Sequence, residues 1–209
     1  MSRKDENASG EIWVTKFDEE SAHEFREQIL EVAKRDPNIV IPIYIDSYGG
    51  FVDSLAKMLA TMDEVPNRFV TICMGKAMSC GAILLSHGDL RFCDKYSRVM
   101  IHNVSSGSWG DAYAMKSDSD EALKLNRRFI GLLAENCGIN YAKLQALIKD
   151  AVGSKEIWLS AEDAQKFGVV DHVGIPRIEA HVQWSFEIQP HKPRMKRTKG
   201  TKRKSNKSR

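Results

Sequence analysis

Two runs of this chain, Ile39 to Ile45 and Phe69 to Met74, are too densely apolar to have a wet face. A strand of that kind belongs inside a parallel sheet with both of its faces covered. Each run leads through small residues into a helical pattern. Ser47-Tyr48-Gly49-Gly50 precedes Val52 to Glu64, where Val52, Leu55, Leu59 and Met62 fall on one stripe. The segment from Gly75 to Ser79 precedes a buried helix from Ser79 to Ser86.

The flanking segments repeat the alternation. Glu11 to Phe17 reads as a short strand, and Asp18 as the cap before a helix from Ser21 to Arg35. Leu90 to Cys93 and Arg98 to His102 read as further strands. Asp111 to Asn136 reads as one helix of about 39 Å at 1.5 Å per residue. Tyr141 to Asp150 and Ser160 to Phe167 are shorter helices, and Val169 to Val173 closes the sheet. This order predicts a mainly parallel α/β domain with helices packed outside the sheet.

The net charge of +3 hides two unlike parts. Lys192 to Arg209 holds ten Lys or Arg and no acid. The rest then carries 31 − 10 = 21 basic against 28 acidic residues, or −7. The expected organisation is a disordered start over 1–10, a folded domain over 11–178, and a C-terminal extension over 179–209 with a basic, disordered tail. Such a tail either solubilises the chain or contacts nucleic acid or acidic surfaces. It has no aromatic residue to stack on bases.

No run of about 18 apolar residues predicts a transmembrane helix. The polar start Met1-Ser2-Arg3-Lys4-Asp5-Glu6-Asn7 lacks the apolar core of a secretory signal, and a cytoplasmic protein with no membrane partner is expected. Cys73, Cys80, Cys93 and Cys137 form no C-x-x-C pair. They are expected to be free thiols, with neither metal nor cofactor.

Three positions bear chemistry-capable groups at strand ends, where α/β folds place their sites. Ser79 follows a buried strand and opens a helix; it is either a helix cap or a nucleophile awaiting a base. His102 ends Val99-Met100-Ile101; it is either a strand-edge histidine or that base. Gly49-Gly50 is either a tight turn or a backbone able to approach a ligand and donate N–H groups.

Together these segments resemble a known family. Ile43-Tyr44-Ile45-Asp46-Ser47-Tyr48-Gly49-Gly50 is similar to the Asn-Ser-Pro-Gly-Gly strand end of the proteolytic subunits of the Clp protease (ClpP). Gly75-Lys76-Ala77-Met78-Ser79 resembles their Gly-Gln-Ala-Ala-Ser nucleophile segment. Ser97-Arg98-Val99-Met100-Ile101-His102 resembles their base segment. Trp158-Leu159-Ser160 through Asp171 is similar to their closing helix and strand.

The resemblance implies a ClpP/crotonase-like fold: a repeated β-β-α superhelical core with a long protruding handle helix. It implies a serine endopeptidase acting on unfolded polypeptides inside an oligomeric chamber. Ser79 would be the nucleophile, His102 the base, and the backbone N–H groups of Gly50 and Cys80 the oxyanion donors. Glu156 stands where the family has the Asp of its triad, with Asp150 as the alternative. Ser105 to Trp109 would be the strand beside the substrate. The implied partners are peptide substrates and further copies of the chain, in heptameric rings stacked as a tetradecamer. A Clp-type ATPase is also implied, although the family's pore-lining segment has little counterpart before Glu11.

The sequence departs from the family at Tyr48 and Val104, where proline is usual, and at Lys155, where arginine is usual. The alternative functions are an inactive subunit of a mixed ring and an acyl-CoA hydratase of the crotonase type, which needs no Ser–His pair.

Overall fold

The computed structural model describes residues 11–151 and 155–177. Its centre is β2 (Ile41–Ser47) beside β3 (Phe69–Met78), parallel and paired from Ile41↔Phe69 to Ser47↔Ala77. Outside β2 lies β1 (Ile12–Val14), shorter than the strand expected over Glu11 to Phe17. The chain leaves the sheet after Val14, and Phe17 returns only as a single bridge to Gly50.

β3 is longer than the apolar run that announced it. It continues through Gly75 because that residue adopts φ 103, and a side chain there would strike the Asp46 carboxylate. Ser97 Oγ accepts the Gly75 N–H at 2.6 Å, which keeps the kink satisfied. Beyond the kink β3 changes neighbour. Val70 to Cys73 pair with β4 (Leu90–Cys93), and Lys76 to Met78 pair with β5 (Arg98–His102). One strand therefore feeds two branches of the sheet.

β7 (His172–Val173) extends the β4 branch in parallel. β6 (Glu156–Ser160) extends the β5 branch and is antiparallel to it. The sequence pattern did not announce β6. Every other described pairing is parallel.

Among the described residues, six helices complete the mixed α/β architecture. α1 (Glu19–Arg35) starts two residues earlier than its apolar stripe, because Asp18 and Ser21 form a reciprocal capping box. α2 (Val52–Glu64) follows the Gly-Gly turn. α3 (Cys80–Ser86) is buried along its whole length. α4 (Ala112–Asn136) is capped by Asp111 and is exposed from Ala112 to Glu121. Its second half enters the core through Phe129, Ile130 and Leu133. α5 (Tyr141–Asp150) and α6 (Ala161–Phe167) follow, the latter capped by Ser160. No described helix is long and apolar enough to cross a membrane.

One core joins all six helices to the inner face of the sheet, with Ile43, Ile45, Leu55, Leu84, Val99 and Leu133 among its members. Close contacts form one unit up to Pro176, and the second unit begins at Arg177. The basic tail expected from Lys192, and the remainder of the extension from residue 179, lie outside the described residues.

Candidate active site

The fork in β3 decides where the reactive groups stand. β3 ends at Met78, and the next residue turns the chain sharply into α3. That residue is Ser79, at φ 55 and ψ −118. A residue with a side chain rarely adopts φ of this sign, and holding it there costs about 1–3 kcal/mol. The turn is fixed from outside: Ser79 N–H donates to the Met100 carbonyl of β5 at 2.9 Å.

Ser79 occupies the N-cap position of α3, yet its side chain makes no cap hydrogen bond. The helix-cap reading of this serine therefore fails. The helix also begins one residue later than the pattern suggested. A strained strand-to-helix turn that presents a serine hydroxyl is the geometry α/β hydrolases use to expose a nucleophile.

Gly49 and Gly50 pack against that turn. A Cβ on Gly49, at φ 100, would lie 2.8 Å from Ser79 Cβ and 2.9 Å from the Met78 carbonyl. A Cβ on Gly50 would lie 2.4 Å from the Phe17 carbonyl. Only glycine lets these backbones come so close. The Phe17 carbonyl is taken by the N–H of Phe51, so the bridge does not use that of Gly50. Cys80 is the first residue of α3, where an N–H has no acceptor within the helix.

The Cys80 thiol donates to the Gly50 carbonyl at 3.3 Å and so links the two backbones. Burial pushes that thiol's pKa up. The thiolate is the reactive form of a cysteine, and burial disfavours it at Cys80.

His102 ends β5 and is half-buried. It lines one narrow pocket with Gly50, Ser79, Cys80, Val104 and Ser105. The structure thus brings together four of the expected residues: Ser79, His102, Gly50 and Cys80. Ser79 Oγ and the His102 ring share this pocket but no hydrogen bond. Hydrogen bonds of this kind are often long in free enzymes and tighten on substrate.

β6 sets the two candidate carboxylates apart. Glu156 is the register partner of His102 across the antiparallel pair. Such partners have Cβ atoms about 4.5–5.5 Å apart on one face. One Glu156 oxygen accepts the Trp158 indole N–H at 3.1 Å, and the Arg98 guanidinium lies 5.4 Å from the Trp158 ring centre. Lys155, just before Glu156, is the other non-glycine residue with positive φ among those described. Asp150 instead ends α5 and lines the groove between α4 and α5.

The residues beyond His102 do not form the strand that resemblance suggested for Ser105 to Trp109. Residues 103–110 are irregular, because neither β3 nor β6 runs alongside them. Among the described residues, no group of three or more His, Cys, Asp or Glu side chains could hold a metal ion.

The match to the Clp protease family model spans residues 10–177. This chain belongs to the Clp protease family. Membership supports a peptidase function, and the matched segment contains the whole strand fork, with Ser79, His102 and Glu156. Sequence reasoning missed two side chains that the Clp protease fold brings near this pocket, Asn126 on α4 and Gln145 on α5. Asn126 had one visible signal, a polar residue within the apolar stripe of Ala122, Leu125 and Phe129.

Proposed function

We propose that this chain is a serine endopeptidase in which Ser79 attacks the peptide carbonyl and His102 takes the Ser79 proton. The same imidazolium then protonates the leaving amine, which releases the first product and leaves an acyl-Ser79 ester. Water, activated by His102, resolves that ester. The N–H groups of Gly50 and Cys80 hold the oxyanion, and loss of one such donor typically costs on the order of 100–1000-fold in rate. Glu156 orients His102 and stabilises its charged form, as carboxylates do in related triads.

The observation that carries this reading is Ser79 itself. It is held at φ 55, makes no cap, and shares its pocket with His102 and with the two backbones proposed to donate. Family membership supports a ring-shaped assembly, with unfolded polypeptides as substrates and the exposed half of α4 as the handle between rings. A Clp-type ATPase would then deliver those substrates.

The test uses a fluorophosphonate probe and short fluorogenic peptides on the purified full chain. The wild type is expected to label at Ser79 and to cleave peptides. Ser79→Ala is expected to lose labelling and at least about 10⁴-fold of activity while keeping its assembly state. A folded, assembled wild type that neither labels nor cleaves would overturn the proposal in favour of an inactive subunit.

A further inference from the structure

The chain leaving His102 is held by side chains rather than by the sheet. On the β3 side, pairing of β5 stops at Met78↔Met100, and Ser79 N–H to the Met100 carbonyl is the last bond there. On the β6 side, pairing stops at His102↔Glu156. Asn103 and Val104 therefore have no strand neighbour among the described residues. Two amides take over. Asn126 Oδ1, on α4, accepts the Val104 backbone N–H at 2.9 Å. Gln145 Nε2, on α5, donates to Asn103 Oδ1 at 2.8 Å.

Asn126 is buried, with 9% of its surface exposed. It lies between the apolar residues Leu125, Phe129 and Ile130 that carry this helix into the core. Burying an amide is costly unless it is bonded, so its place is explained by the bond it makes. That bond fixes a peptide two residues from His102. It also fixes Val104, which together with Ser105 lines the pocket that holds Ser79.

We propose that Asn126 is a positioning residue for the active site. It sets the direction in which the chain leaves His102, and so the placement of the imidazole against Ser79 and the start of the 104–110 segment. Gln145 steadies the same exit from α5. This inference rests on the serine-peptidase reading for its catalytic consequence, while the hydrogen bond itself does not.

The experiment compares Asn126→Leu, which keeps the volume and removes the acceptor, with Asn126→Asp, which keeps the acceptor. Three quantities are read on the full chain: the fluorophosphonate labelling rate of Ser79, the Tm, and amide hydrogen exchange across residues 103–106. Misplacement of a reacting group by about 1 Å costs on the order of 100-fold. Asn126→Leu is thus expected to slow labelling on the order of 10–100-fold and to speed exchange at Val104. Asn126→Asp is expected to restore both, with the assembly state unchanged in each variant.

A Leu variant that loses Tm but labels at the wild-type rate per folded chain would overturn the positioning role and leave the peptidase reading intact. Unchanged exchange at Val104 would overturn it as well. A wild type that does not label defeats the peptidase reading instead, and the exchange at Val104 then decides by itself whether Asn126 holds this peptide. Where Asn126→Leu fails to fold, Gln145→Leu carries the same comparison through Asn103, with faster exchange at residues 103–106 expected and unchanged exchange counting against the clamp.

Discussion

Two polar clusters sit on the two branches of the fork, and they are built on opposite rules. On the β4 branch, Arg91 and Asp171 are saturated. The guanidinium makes a paired contact with the Asp171 carboxylate at 2.6 and 3.0 Å, and it also donates to the Asn136 and Gly168 carbonyls. The backbones close the knot in both directions, Arg91 N–H to the carboxylate and Asp171 N–H to the Arg91 carbonyl. On the β5 branch, Ser79 is strained, its hydroxyl caps nothing, and it shares a pocket with His102 without a hydrogen bond between them. Saturated groups hold β4, β7 and the end of α4 together. Neither the Ser79 nor the His102 side chain is tied into such a knot.

This contrast has measurable edges. The largest effect is expected on the saturated side. Arg91→Met removes one partner of a half-buried pair and strands the other, a change that typically costs about 3–5 kcal/mol. Chemical denaturation should show that loss. The labelling rate of Ser79, measured on the fraction still folded, should stay near the wild-type value. A variant that keeps its stability but loses labelling would dissolve the distinction between the clusters.

Gly49→Ala probes the other side. The added methyl meets Ser79 Cβ and the Met78 carbonyl at under 3 Å, and φ 100 disfavours alanine in any case. Ser79 has to shift. Labelling is expected to slow on the order of 100-fold, with a stability loss of about 1–3 kcal/mol. Labelling at the wild-type rate would mean that the turn tolerates a displaced Ser79.

The smallest effect concerns pH. The Arg91 guanidinium holds the Asp171 carboxyl below the ordinary carboxylate range. A depressed folded-state pKa gives stability that is fully present above the unfolded value, near pH 4, and is lost as pH falls through the folded value. Acid unfolding followed between pH 5 and pH 2 should therefore be shallower in Arg91→Met than in the wild type. Parallel slopes would show that Asp171 is not held by this pair.

The elements legible in the sequence were those whose own residues decide them. β4, β5, α2 and α5 begin and end where composition and caps place them. Errors came where a distant partner decides. Gly75 reads as a break, yet β3 runs on because Ser97 and β5 meet it there. Glu156-Ile157-Trp158-Leu159-Ser160 is short and lacks alternation, so only β5 reveals it as a strand. Ser79 by residue type alone is a cap or a nucleophile; the resemblance took it as the nucleophile, and the structure adds its φ and the missing cap bond. Both the His102–Glu156 register and the Asn126 contact depend on pairings across tens of residues, which no local pattern encodes.

The two neighbours of β3 also set the order in which this molecule can be assembled. Its first half needs β4, some 20 residues downstream, whereas the β5–β6 pair closes a loop running from His102 to Glu156 through both α4 and α5. Closing longer loops costs more chain entropy, and long-range pairings slow folding. Both halves of β3 therefore pair early, since Lys76↔Arg98 closes nearly as short a loop as Val70↔Leu90, and β6 and β7 are the late additions. The pocket shared by Ser79 and His102 is thus outlined before Glu156 arrives beside it, which makes Glu156 the last of these groups to be placed.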